Sequence, residues 1–201
     1  MSVDSLRSQR PRTVSRRVLM ALAGSLLTSR LAAEEVSVPV SLQVDLLLKV
    51  ASYDKNLTRR AGDRVVVAVL VKPGDADSGR VAAQALAALS EVNEVVGLPV
   101  MPLSVEYTDA GALARLADES RVAVLYVAPG FTPAELDGLA QALDGRSVLS
   151  AGALAKYTER GTVLGFDLVG GKPKLLVHLA RAKRQQVELS SAVLKLMRVI
   201  E

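Results

Sequence analysis

Residues 65–89 read VVVAVLVKPGDADSGRVAAQALAAL. A continuous apolar, β-branched run (Val65–Val71) passes through a glycine loop into an alanine-rich run with helical spacing. A strand with no polar alternation is expected where both faces are covered. Strand, short loop and helix in succession is the unit of an α/β domain with a parallel sheet. The pattern recurs. Val100–Tyr107 and "RVAVLYVAPG" (Arg121–Gly130) read as further strands, each followed by a helix. Asp109 is placed to cap the helix "AGALARLAD", and Thr132 with Pro133 opens the next one.

Upstream, Pro39–Arg60 carries Leu42, Leu46, Leu47, Val50 and Leu57 at helical spacing and is expected to be one helix. Downstream, "DGRSVLS" gives a short fourth strand and Gly152–Tyr157 a short helix. The pattern then changes: "GTVLGFDLVGGKPKLLVHLARA" holds two strand-like runs around Gly170-Gly171, with Lys172 and Pro173 extending the loop. A long helix over Lys183–Val199 is expected to close the chain. The predicted fold is a single compact α/β domain. Its sheet is mostly parallel, carries antiparallel C-terminal hairpin strands, and is flanked by helices.

The loop at Lys72–Arg80 raises the question of phosphate binding, because Gly74 and Gly79 have the gap of a nucleotide-binding loop. Three features argue against it. Arg80 stands where lysine is required, Val81 has no hydroxyl for magnesium, and Asp75 and Asp77 place carboxylates where phosphate oxygens would lie. Pro73-Gly74 instead reads as a turn, with Asp77 or Ser78 capping the helix.

Half of the 201 residues are hydrophobic, aromatics make up 3%, and there is no Cys. The core is therefore Leu, Val and Ala, and thiol chemistry is excluded. The net charge of +4 is concentrated at the start. Beyond residue 33 there are 19 basic against 20 acidic side chains, which gives no footprint for nucleic acid. "SRRVLMALAGSLLTSRLAA" has a basic region, a short apolar stretch (Val18–Leu27) and a small-residue end. That stretch is about half the roughly 20 residues a bilayer span needs. It is expected to be a twin-arginine-like export signal cleaved near Ala33. Residues 1–33 are then the signal, residues 34–201 the domain, and the periplasm the destination.

No assembled chemistry is legible. His178 is the only histidine, placed on a strand between Leu176 and Ala180. Ser150, Ser190 and Ser191 lack a nucleophile elbow. Asp54 and Asp167 could serve as an acid–base pair only if the fold brought them together. Neither catalytic residues, metal ligands nor a cofactor site is predicted. Surface anchors are sought instead. The C-terminal segment has more apolar residues than one buried helical stripe needs, among them Met197 and Ile200, as for a dimer or partner surface. Tyr53 and Phe131 are further candidate anchors. Phe131, between Gly130 and Pro133 at a strand end, is expected to be exposed, and Tyr126 to be in the core.

The order of parts over Val44–Ile200 resembles the YfiR family of periplasmic regulators. "DLLLKVASYDKNL" precedes the apolar strand, and "VAVLYVAPG" lies mid-chain. "SVLSAGALAKYTERGTVLGFDLVGGKPKLLVHLARAKRQQVELSSAVLKLMRVI" ends in the Ser191, Leu194, Lys195, Leu196 pattern. Tyr53-Asp54-Lys55 replaces the family's aromatic-Trp-Pro, and His178 replaces a usual Asn. The resemblance implies a non-enzymatic protein that binds the periplasmic part of an inner-membrane diguanylate cyclase and restrains it. Cyclic-di-GMP output and biofilm formation would fall as a result. It also implies an outer-membrane lipoprotein as a competing partner. The alternative is a periplasmic solute-binding module, which would use the crevice at the carboxyl ends of the strands.

Overall fold

The computed structural model describes residues 37–201. The expected signal and its cleavage point lie outside the described residues. The elements run α1 (Val40–Ala51), α2 (Leu57–Ala61), β1 (Val65–Val71), α3 (Ala76–Ser90), β2 (Glu94–Val95) and β3 (Leu98–Glu106). Then come α4 (Ala110–Glu119), β4 (Val122–Val127), α5 (Pro133–Leu143), β5 (Leu149–Gly152) and α6 (Tyr157–Arg160). The chain continues with β6 (Leu164–Val169), β7 (Lys172–His178), α7 (Leu179–Arg184), α8 (Ser191–Leu194) and β8 (Arg198–Ile200).

The eight strands form one sheet in the order β2-β3-β1-β4-β5-β6-β7-β8. β3, β1, β4, β5 and β6 are parallel. The β6–β7 hairpin is antiparallel, as expected from Gly170-Gly171. A second antiparallel hairpin, β2–β3, at the opposite edge is additional to the sequence reading. Val65, Val67 and Val69 face a core shared with α1 and α3, while Val66, Ala68 and Leu70 face one shared with α4 and α5. Helices therefore cover both faces of β1, which explains its unbroken apolar run.

At the β3 edge the Val100 N–H points outward, to Asn93 O at 3.0 Å, and the Tyr107 N–H points inward, to Val71 O at 2.9 Å. Alternation along the strand puts the missing N–H of Pro102 on the open edge. Pro102 thus leaves the β1–β3 ladder whole and blunts the edge against strand addition.

Two expected helices are not as drawn. The helix over Pro39–Arg60 breaks at Ser52–Asn56, because this polar stretch favours side-chain bonds over helix. Its backbone pairs with the C-terminal segment: Lys55 N–H donates to Glu188 O at 3.0 Å, and Ser190 N–H to Tyr53 O at 3.1 Å. The long helix over Lys183–Val199 does not form. The chain turns at Gln186 (φ 50°), makes the single turn of α8, and enters the sheet as β8, parallel to β7. The apolar excess of this segment comes from a strand and a core insertion. Gly152 ends β5, so the helix expected from Gly152 starts only at Tyr157.

Candidate functional site

The parallel strands place one natural crevice. The connections leaving β1 and β4 run to opposite faces, so the sheet has a switch point at their carboxyl ends, where α/β domains bind ligands. Here the chain's own side chains fill it. Phe131, expected to be exposed, is only 5% accessible. Its ring meets Tyr107 edge-on at 5.2 Å and Tyr157 at 6.5 Å between centroids. Its N–H donates to the Tyr157 hydroxyl at 3.0 Å. The cause is local. Gly130 (φ 96°) turns the chain inward, and a Cβ there would lie 2.7 Å from Asp75 Oδ2. The α5 capping box then fixes Thr132 and Glu135.

Above the rings, Lys72 pairs with Glu135 and lies 5.9 Å from the Tyr107 centroid and 6.0 Å from that of Phe131. The lysine contact, helped by the Thr132 bonds, holds the Glu135 carboxyl below its ordinary range. Burial, with Glu135 nearby, pushes the Tyr107 phenol up. The glycine loop keeps its turn at Gly74, but the cap is Asp75, one residue before the helix. Asp75 Oδ1 accepts from the Ser78 N–H at 2.7 Å, and the Ser78 hydroxyl accepts from Lys72 N–H at 2.8 Å. The helix end that would hold a phosphate is occupied by a carboxylate.

The C-terminal segment builds a second feature. Asp54 and Arg60 form a buried ion pair, with side chains 0% and 2% exposed. Asp54 Oδ1 also accepts from Asn56 N–H at 3.1 Å and Glu188 N–H at 2.9 Å. Burial lowers the Arg60 guanidinium to about 10, so it stays charged at neutral pH. Beside this latch lies a groove of about 390 Å³, lined by Leu179, Ala182, Val187, Leu189 and Leu194 with Asn56 and Lys183 at its rim. Leu179 (43%), which lines the groove, is exposed, as are Leu196 (66%) and Val199 (47%) further along the C-terminal segment and Tyr53 (40%) on the loop paired with it. Ile200 is half-buried. Met197 is only 8% exposed and belongs to the core, because α8 tucks it under the β7–β8 edge.

The remaining candidates do not assemble. Asp54 is locked in its ion pair, while Asp167 pairs with Arg198 on the other side of the hairpin. Ser150 donates to Gln185 Oε1 at 2.8 Å inside the core. His178 ends β7, and its Nδ1 accepts from Arg181 N–H at 3.4 Å, so it acts as a helix cap. Burial and Arg181 hold its pKa below the usual histidine value. Tyr126 is in the core as expected, and its hydroxyl donates to Gln43 Oε1 at 2.8 Å. No group of three or more acidic or histidine side chains suited to a metal occurs among the described residues. Sequence reasoning missed Leu179 and the Asp54–Arg60 latch. An Asp–Arg spacing of six carries no signal until the helix is known to break between them.

A family model for YfiR/HmsC-like proteins matches residues 44–198. The chain belongs to that family. Membership makes this YfiR/HmsC-like chain a relative of periplasmic regulators. No helix among the described residues is long and apolar enough to cross a membrane. Among solved structures, a conserved domain protein from Vibrio cholerae O1 biovar El Tor is similar, with TM-score 0.55, 16% identity, and 81% of this chain and 60% of that one covered. So is an ABC domain in complex with L-Trp from Streptococcus pneumonia (TM-score 0.50, 14% identity, 75% and 62% covered). A third is the ligand-free CD0873, a substrate-binding protein with adhesive properties from Clostridium difficile (TM-score 0.50, 12% identity, 73% and 58% covered). The YfiR/HmsC-like chain thus spans about 60% of the length of these structures, and at such identities the likeness is one of fold. No curated protein matches it.

Proposed function

We propose that the protein is a non-enzymatic periplasmic regulator that restrains an inner-membrane signalling partner of the diguanylate cyclase type, with the C-terminal face as its docking surface. A binding protein shifts a partner only by preferring one of its states, which requires a surface and no catalytic group. One observation carries the reading. The crevice where an α/β domain would take a solute is filled by Phe131, while Leu179 at the groove, Leu196 and Val199 further along the C-terminal segment, and Tyr53 on the loop paired with it stand exposed. Exposed apolar clusters mark interaction surfaces. Tyr53 and Ile200 belong to this face. Met197 packs in the core beneath it, whereas Phe131 lies in the separate core against α4 and α5.

The solute-binding alternative would require the Phe131 plug to leave. Competition by an outer-membrane lipoprotein would use the same face.

The test is capture of membrane partners by the exported protein. Leu196→Asp and Leu179→Asp remove exposed anchors of the type that can cost about 2 kcal/mol, or roughly thirtyfold in affinity. Capture should fall and cellular cyclic-di-GMP should rise, with unchanged melting temperatures. Full capture by the double variant would reject this face.

A further inference from the structure

The β6–β7 hairpin outruns the sheet around it. β5 pairs with β6 only at Leu164 and Gly165, and β8 pairs with β7 only over Leu176–His178. Residues 166–169 and 172–175 therefore pair with each other alone. They form a two-stranded arm about 13 Å long, at about 3.3 Å per residue. Its base is held, because Phe166 is buried and Leu175 packs against the same core. Its tip is open: every residue from Leu168 to Pro173 is exposed. Leu168 (42%) and Val169 (52%) stand there on opposite faces of the ribbon. Only the Gly170-Gly171 turn separates them from Lys172.

Charge indicates what the tip meets. Lys174 Nζ donates to Leu196 O at 3.1 Å, so the segment ahead of β8 runs beside the arm and brings the exposed Lys195 and Leu196 with it. The arm's one carboxylate, Asp167, is taken by Arg198 at 3.2 Å. α6, packed at the arm's base, carries Lys156, Glu159 and Arg160 and does not reverse the sign. Residues 172–201 hold seven basic and two acidic side chains, whereas residues 34–171 hold twelve and eighteen. The β2–β3 hairpin at the opposite edge also exposes Val96 and Met101, but beside Glu94, and residues 81–114 contain no basic side chain. We propose that the β6–β7 arm is a shallow anchor for an anionic phospholipid surface. Leu168 and Val169 enter the boundary between headgroups and acyl chains, and Lys172, Lys174 and Lys195 sit among the phosphates. Apolar burial and attraction to anionic lipid add in such contacts, and lysine stems can lie in the apolar layer with the ammonium raised to the phosphates. A bound arm holds the adjoining C-terminal segment at the level of a membrane partner.

The experiment sediments the exported protein with vesicles of phosphatidylglycerol mixed with phosphatidylcholine, and with vesicles of phosphatidylcholine alone. Binding to the mixed vesicles should exceed binding to the neutral ones and weaken as salt is raised. Leu168→Ser with Val169→Ser should lower the partition coefficient about tenfold or more. Lys172→Gln with Lys195→Gln should lower it about fivefold for each lysine. Melting temperatures should not change. The chain has no Trp, so Leu168→Trp and Met101→Trp each introduce a single reporter. On the mixed vesicles the emission of the first should shift to shorter wavelength, and that of the second should stay in place. No binding to the mixed vesicles, equal binding to both kinds, undiminished binding by the Leu168→Ser, Val169→Ser variant, or a shift at Met101→Trp instead would each overturn the anchor. Lost self-association in that hairpin variant, with vesicle binding intact, would overturn it in favour of a contact with a second copy. The sedimentation involves no partner protein, so its failure leaves the C-terminal docking face standing.

Discussion

Replacing Phe131 with Ala separates a structural plug from a partner anchor. Phe131 is 5% exposed, sits edge-on to two tyrosines, and belongs to the core between the sheet and α4–α5. Deleting a buried phenyl ring costs about 3–5 kcal/mol in transfer and cavity terms. Each edge-on contact accounts for roughly 0.5–1.5 kcal/mol of aromatic preference within such losses. The site lies where strands end, beside Tyr107 at 9% exposure, so the cavity can partly collapse or admit water. That argues for the lower part of the range, about 3–4 kcal/mol. For a chain of 150–250 residues each kcal/mol moves the melting temperature about 2–4 °C, so the loss should be roughly 6–16 °C. Thermal and urea denaturation of Phe131→Ala measure it, and Phe131→Leu should recover a large part. Partner capture, assayed well below the midpoint, should be unchanged. A melting temperature within about 2 °C of the parent, a shift worth at most about 1 kcal/mol, would refute the packing argument. Lost capture by a fully folded variant would show that the ring is a contact after all.

Three further outcomes follow from single sites. Asp54→Asn keeps the shape and the Glu188 N–H acceptor but leaves Arg60 as an uncompensated buried charge, so urea denaturation should show a loss of about 3–5 kcal/mol. Asp54→Asn with Arg60→Met, which keeps the acceptor for the Asn56 and Glu188 N–H groups and removes the buried charge, should recover most of it, and a near-neutral Asp54→Asn would contradict the latch. Val96 holds φ 51° beside Gly97 at 76° in the two-residue β2–β3 turn, an unfavourable conformation for a β-branched side chain that is 46% exposed. Val96→Asn should therefore raise stability by about 1 kcal/mol, and a fall in the denaturation midpoint would count against the reading. His178 and Glu135 both have folded pKa values below their ordinary ones, so the unfolded chain binds protons first. Stability should be complete above about pH 6.5, decline as His178 comes under acid pressure, and decline again below about pH 4.3. The upper step should disappear in His178→Gln, and its persistence would place the titration elsewhere.

Much of the fold is written in local pattern. The apolar runs at Val65–Val71 and Val122–Val127 form strands covered on both faces, and Asp109 and Thr132 cap the helices they precede. The Gly170-Gly171 hairpin forms, and the chain is the YfiR/HmsC-like family member that the order of parts implied. These features depend on neighbours a few residues apart, so period, cap and turn chemistry determine them without reference to the rest of the chain.

What the tertiary structure decided is where distant segments meet. Val50 and Leu57 keep helical spacing across Ser52–Asn56, yet this polar stretch leaves the helix and finds its backbone partners in Glu188 and Ser190, more than 130 residues away. The C-terminal segment is apolar enough for a helix, but β7 offers an open edge, and Val199 and Ile200 take it as β8. Phe131 has the sequence context of an exposed loop aromatic. Tyr107 and Tyr157, from two other parts of the chain, close around it. The exposure of Leu179 and Leu196 was hidden for the same reason. Burial depends on which surfaces remain once every element has found its partner, and that is a property of the assembled chain rather than of any stretch within it.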